Sequence, residues 1–511
     1  MRTRYSFYNF VVNLITSVIL PILGFVKLSL FLGLYGVSVN GLQITIAQII
    51  TFLNVCEIAY SLAFRQLLFK PLADKDKQGV LSIYYGAKRV FNITGTIVLV
   101  LGFVLAIFFP LFADSPFDYF NTSLIFLIST LPYGISYFLM GPNFVIIADQ
   151  KEYKINIWIQ SIAILRMILM IIAIILKMDF YVIVIIEVLN ILIANIVARF
   201  IALKAYPWLK EKPETIDNES FIKNAKYTII QRLSALATNN TDNIVITSFM
   251  GYAMSGVYGV YSYLNEFVYK IVNSVISSTI NSFGNLFNDE NADSYKVFTE
   301  FFNFACYGAS IVSVCIFVVM ADFIPIVMRK TEIGPIPFNL VLMFSINIFY
   351  LTMREPVIIS RDANGLFKDA KNNAYLLAIS KIVLSVIMVR IWGLAGVIGA
   401  TLITNWTVDF LYNPRLVYKK VFKLDVIKYY KMVFSRVVIT AVIGAISYYV
   451  WNMFIEYVTS GTVKFLISCV ILGIVVLITF TIIYYVLYES YRNLIRRIYN
   501  LFVRRMEGRT S

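Results

Sequence analysis

Apolar stretches of about twenty residues recur along the chain from Phe7 to Leu487, separated by short segments where lysine, arginine, glycine, proline and acidic residues gather. A run of that length crosses the ~30 Å hydrocarbon layer as a helix, because each residue advances about 1.5 Å. The pattern predicts helices over 7–32, 41–66, 90–112, 121–147, 155–177, 180–203, 227–250, 252–283, 297–323, 337–360, 372–391, 394–416, 432–454 and 462–488. The expected fold is an all-α polytopic membrane protein of about 14 transmembrane helices. Its longest polar interruption, Lys204 to Lys226, separates the first twelve into an N-terminal lobe (1–204) and a C-terminal lobe (227–420), joined by a cytoplasmic linker (205–226). An appended helix pair (432–488) and a basic tail (489–511) follow. Helix two leaves the bilayer as LLFKPLADKDKQG and helix eight as FGNLFNDENADSY. That weak echo fits parallel repeats related by an axis along the membrane normal.

Composition agrees with the pattern. Of 511 residues, 59% are hydrophobic and only 14% charged, against roughly 25% in soluble domains. The net charge of +15 would point to nucleic acid if it were clustered, so its placement matters more than its size. With the N-terminus in the cytoplasm, 32 lysines and arginines fall in inner segments, while the outer segments hold five, namely Lys177, Arg329, Lys330, Arg390 and Lys464. The positive-inside rule then places both termini in the cytoplasm, and no nucleic-acid partner is needed to explain the charge. Met1 to Tyr5 is too short for the start of a cleaved signal, so the first helix is expected to stay in the membrane. In the tail YRNLIRRIYNLFVRR, Leu494, Ile498 and Leu501 share one helical face. It reads either as an ordinary basic anchor or as an amphipathic helix on an anionic leaflet.

The inventory excludes most catalysis. There is no histidine, hence no His-based triad, metal site or proton relay. Cys56, Cys306, Cys315 and Cys469 are isolated within apolar runs and read as small buried hydrophobes. No G-x-x-x-x-G-K-[ST] loop occurs, and the run Gly393, Gly396, Gly399 lacks both the lysine and a preceding strand. The chain is expected to be no enzyme, to need no cofactor or metal, and to hydrolyse no nucleotide.

What remains is charge inside the predicted helices. Lys27, Arg166, Arg232, Lys270, Arg354, Lys381 and Arg436 lie there, as do Glu57, Glu187, Asp242, Glu266, Glu355 and Asp409. Each would cost roughly 3 kcal/mol at a lipid-facing helix centre, and together some tens of kcal/mol, so most must face a wet interior. Several have simple explanations. Glu266 and Lys270 are one turn apart and neutralise each other, Arg354 and Glu355 lie near the inner leaflet, and Arg436 snorkels to the cytoplasm. Lys27 and Arg166 have no acid three or four residues away and therefore call for a cross-helix partner or an anionic ligand. A phosphate or diphosphate best rewards several convergent cations. The aromatic run Tyr252, Tyr258, Tyr261, Tyr263, Phe267, Tyr269 serves either packing or stacking on sugar rings.

The segments ILGFVKLSLFLGLYGVSVNGL, EIAYSLAFRQLLFKPLADKD, TDNIVITSFMGYAMSGVYGVYSYL and GNLFNDE resemble bacterial polysaccharide flippases, members of the multidrug/oligosaccharidyl-lipid/polysaccharide exporter superfamily. The resemblance runs from about Arg4 to Lys420. It implies two six-helix lobes in a V shape around a cationic cavity that opens alternately to either leaflet. It also implies basic cavity residues on helices one, two and eight, where Lys27, Arg65 and Lys270 stand here. The extra helix pair is similar to that of the related lipid II flippases, where such a pair lines a lipid groove.

The expected function is export of undecaprenyl-diphosphate-linked oligosaccharide across the bacterial cytoplasmic membrane, for capsule or a related surface polymer. Its substrate site would comprise Lys27, Arg65, Arg166, Lys270 and Lys381, and Asp242, Glu266 and Asp409 would carry H+ or Na+ as coupling ion. A polysaccharide polymerase complex is the partner such export would serve. The rivals are a cation-coupled multidrug antiporter of the same superfamily and a membrane glycosyltransferase. The second needs a large outer loop, and the longest here, about 324–336, holds only Arg329, Lys330 and Glu332 as charges.

Overall fold

The computed structural model describes residues 2–149, 151–215, 236, 240–287, 293–327 and 333–497. Among them it is all helix and connecting turn. The helices are α1 (Arg2–Leu53), α2 (Val55–Ala73), α3 (Lys77–Phe108), α4 (Tyr119–Leu139), α5 (Gly141–Ala148), α6 (Tyr153–Ile175), α7 (Phe180–Ala205) and α8 (Asp242–Phe287). They continue as α9 (Ser294–Val327), α10 (Phe338–Met353), α11 (Glu355–Ala363), α12 (Phe367–Thr404), α13 (Phe410–Val417), α14 (Ile427–Met453), α15 (Ile455–Thr459) and α16 (Thr462–Leu487). Backbone groups in hydrocarbon must be bonded within the segment, which is why an apolar chain of this kind folds as helices.

Eleven helical segments among the described residues are long and apolar enough to cross a membrane. The sequence pattern predicts about 14, and the difference has a local cause. At Gly36, Gly251 and Gly393 the chain turns through one non-helical residue without leaving the helical run, so each glycine joins two expected helices. Arg232 and half of the expected helix 227–250 lie outside the described residues, as do Arg329, Lys330 and the tail beyond Arg497.

The chain forms two compact units, Met1–Gly259 and Val260–Ser511. In the first, α3 packs on α4, α6 on α7, and α1 on α6, around cores that include Phe64, Phe91 and Phe144 and, separately, Phe31, Phe126 and Phe180. In the second, α9 is the central helix and meets α10, α14 and α16, with Phe298, Phe302, Tyr418, Tyr429 and Tyr484 fully enclosed. The outward faces are apolar: on α16, Val463, Ile467, Val470, Ile471 and Ile474 are all exposed, as suits a surface bathed in lipid.

The boundary between the units falls inside α8 because its first turns pack on α1. Gly36 and Gly251 share nearly the same backbone geometry, φ/ψ 84°/172° and 81°/174°, a region open essentially to glycine alone. Five residues further on, Gly41 and Gly256 face each other's helices reciprocally. A methyl group at Gly41 would stand 1.8 Å from the Tyr252 carbonyl oxygen, and one at Gly256 2.1 Å from that of Val37. Tyr252 follows Gly251 as Val37 follows Gly36, so the contact is internally two-fold. Asn40 Nδ2 donates to Gly256 O at 3.3 Å, and the Thr45 and Thr247 hydroxyls bond at 2.7 Å.

Candidate functional site

The first unit holds Lys27 and Arg166 within electrostatic reach of each other. Helices α6 and α7 form an antiparallel hairpin whose turn, 176–179, is closed by Lys177 at φ 53° and by Asp179, which caps α7 through a 2.9 Å bond from Tyr181 N. Tyr35 near the kink of α1 donates to Met178 O at 2.6 Å, and Phe31, Tyr35, Phe117 and Phe180 pack as a ring cluster against that turn. One turn before Phe31 stands Lys27, its ammonium 4.6 Å from the Phe31 ring centre.

On the hairpin itself, Arg166 and Glu187 stand on opposite arms, and Arg166 Nη1 donates to Glu187 Oε1. Arg166 Nε is buried and makes no hydrogen bond. Lys27 lies within electrostatic reach of both Arg166 and Glu187. Tyr133 on α4 feels the same pair together with Glu57 of α2. The set therefore holds two cations against Glu187, with a second carboxylate further along the same polar interior.

Arg65 is half-buried and bonds back to Ser61 O on its own helix at 3.1 Å. Asp242 is buried at the start of α8 and accepts from Tyr258 at 3.1 Å. Tyr252, Tyr258 and Tyr261 are buried as well, so these three members of the aromatic run serve packing.

The second unit holds the other expected residues. Lys270 and Glu266 pair at 3.5 Å on the surface of the unit, the neutralisation their spacing predicts. Lys381 on α12 is buried, 2% exposed. Asp409 closes a π-helical turn (Asn405–Asp409) between α12 and α13, an irregularity that often marks function. It accepts from Tyr350 at 2.8 Å, from Arg354 Nη1 at 3.0 Å and from Asn413. Arg436 does not snorkel to the cytoplasm. It is 6% exposed, bonds Asn303 Oδ1 at 2.7 Å and covers the Tyr488 ring at 3.8 Å, because neighbouring helices supply acceptors where a lone helix would leave only lipid. Beside it a groove of about 270 Å³ opens among Ser313, Phe317, Leu342, Phe349, Trp406 and Gly444.

No described family and no curated protein sequence matches the chain. Solved structures do. "Lipid II flippase MurJ, inward closed conformation" superposes with a TM-score of 0.72 at 17% identity, covering 96% of this chain and 100% of that one. The inward-facing conformation of a multidrug resistance MATE family transporter of the MOP superfamily gives 0.56 at 11% identity over 80% and 98% of the two chains, and a MATE in the bent conformation 0.53 at 12% over 82% and 95%. The chain has the fold of these membrane transporters.

Within that transporter fold, Glu187, Tyr133 and Arg354 join the sites though the expected set omits them. Glu187 had a usable signal: Arg166 lies ten residues before the hairpin turn at 176–179 and Glu187 eight after it, so the short turn brings their stretches of the two arms near each other. Arg354 and Asp409 are 55 residues apart on helices that are not neighbours in sequence, and no local spacing announces them.

Proposed function

We propose that the protein is a flippase that moves polyprenyl-diphosphate-linked oligosaccharide across the bacterial cytoplasmic membrane by alternating access. The observation that carries this reading is that Lys27 and Arg166 lie within electrostatic reach of each other inside the first unit, with Arg166 Nε unbonded. A cation pair held in low dielectric attracts a diphosphate strongly, and the guanidinium suits phosphate oxygens bidentately. The groove beside α14 is apolar and, at about 270 Å³, has room for part of a prenyl chain. Energy comes from an ion gradient. Asp242, buried at the start of α8, is the carrier we favour, with Asp409 and Glu266 as the other candidates.

The test is export of surface polysaccharide in a strain whose only copy carries Lys27→Ala or Arg166→Ala. Each should abolish export at unchanged protein level. Normal polymer from both variants would overturn the reading. The likeness to MATE transporters favours a second reading, cation-coupled multidrug export, and drug susceptibility in a host lacking efflux pumps separates the two.

A further inference from the structure

We propose that Glu187 is a tethered substitute for substrate phosphate, which keeps the Lys27–Arg166 site closed to ordinary phospholipids and yields it only to a diphosphate. The inference rests on the flippase reading and deepens it.

A cationic site that opens toward a bilayer meets a selection problem. Every anionic phospholipid carries one phosphodiester charge, and such lipids surround the protein in vast excess over any lipid-linked sugar. A bare pair of cations would fill with phospholipid headgroups. Discrimination then needs an element that penalises the wrong ligand, and not merely one that attracts the right one.

Glu187 has the placement for this. It occupies Arg166 Nη1, and Lys27 lies within reach of its charge. The pair keeps 20% and 33% of its side-chain surface open, so it is accessible and not sealed in a core. The charged and titratable groups facing it from the packed helices are Lys27 on α1, Tyr133 on α4 and Arg166 on α6, with Glu57 of α2 reaching Tyr133. The trio of Lys27, Arg166 and Glu187 has one net positive charge.

A phosphodiester replaces one negative charge by another and gains little, because the carboxylate is covalently held at high effective concentration. A diphosphate diester brings two charges. It can bond Arg166, including the unbonded Nε, and Lys27 together, so it displaces Glu187 with a net electrostatic gain that a desolvated site magnifies. When the diphosphate leaves, Glu187 folds back on Arg166 and closes the site to phospholipid again.

The experiment uses the full chain in nanodiscs with farnesyl diphosphate carrying a fluorophore esterified to its terminal phosphate, a diphosphate diester, as probe. Discs are made of phosphatidylcholine alone or with increasing phosphatidylglycerol. Wild-type affinity should change less than twofold as phosphatidylglycerol rises. In neutral discs Glu187→Gln should bind the probe roughly tenfold tighter, the factor that ~1.4 kcal/mol of removed competition corresponds to. It should then lose at least that factor as phosphatidylglycerol is added. Glu187→Asp, which keeps a shorter carboxylate, should fall between the two. If Glu187→Gln and Glu187→Asp are as insensitive to phosphatidylglycerol as the wild type, Glu187 is no filter and the inference is overturned while the diphosphate site stands. If the wild type binds no probe even in neutral discs, the flippase reading fails and this inference with it.

Discussion

A charge in an apolar helix needs an answer from its neighbours, and this chain shows three kinds. Arg166 meets a carboxylate across a hairpin, Arg354 meets one on a distant helix, and Arg436 meets an amide and a tyrosine ring with no carboxylate in the set described. Asp409 is 3% exposed, so Asp409→Asn leaves the half-buried Arg354 beside a neutral amide. Breaking a buried pair from one side costs roughly 3–5 kcal/mol, and we expect a correspondingly large fall in the melting temperature of the detergent-solubilised protein. Glu266→Gln should change stability by no more than about 0.5 kcal/mol, since an exposed pair one helical turn apart is worth little. Equal shifts for the two variants would contradict this account of Asp409. The charges themselves are visible in the sequence, but their partners are visible only where a short turn fixes which residues face each other. That condition holds for Arg166 and Glu187 and fails for Arg354 and Asp409.

Helices are legible from apolar runs, and the form of their joints much less so. Gly36, Gly251 and Gly393 each carry a turn within a continuous helical run; the sequence pattern breaks the helices there, and the structure adds that a single glycine makes each joint. The glycines that matter most for packing are Gly41 and Gly256, whose missing side chains let α1 and α8 touch backbone to backbone, the close approach that small residues permit between membrane helices. Gly41→Ala should cost at least the roughly 1–3 kcal/mol typical of overpacking, because its methyl would meet a carbonyl oxygen that cannot rotate away. Gly473→Ala has open space around it and should be neutral or stabilising by about 0.5–1 kcal/mol, the ordinary gain of alanine within a helix. Thermal melts of the two variants in one detergent decide the matter, and a more damaging Gly473→Ala would refute the close contact. Gly393 has a related role: a methyl at Gly396 would stand 2.0 Å from Met388 O, so the glycine run of 393–399 makes a tight helical turn.

For the whole molecule, the distribution of lysine and arginine makes a claim about sides. We expect the turn around Asp74 to be cytoplasmic and the turn around Asp114 to face outward; both residues are exposed. In a background with the four cysteines replaced by alanine, Asp114→Cys should react with a membrane-impermeant maleimide in intact cells, and Asp74→Cys only after permeabilisation. The opposite pattern would invert the topology. The sequence by itself determined that this chain is a many-helix membrane protein, roughly where its helices run and how many charges they hide. Those properties depend on local hydropathy, and transfer into lipid acts on each segment separately. Only the tertiary structure decided that Glu187 answers Arg166, that Asp409 is bound by Arg354, and that two equivalent glycines hold α1 against α8. Desolvation, pairing and close packing are properties of residues brought together from distant parts of the chain, and no single segment carries them.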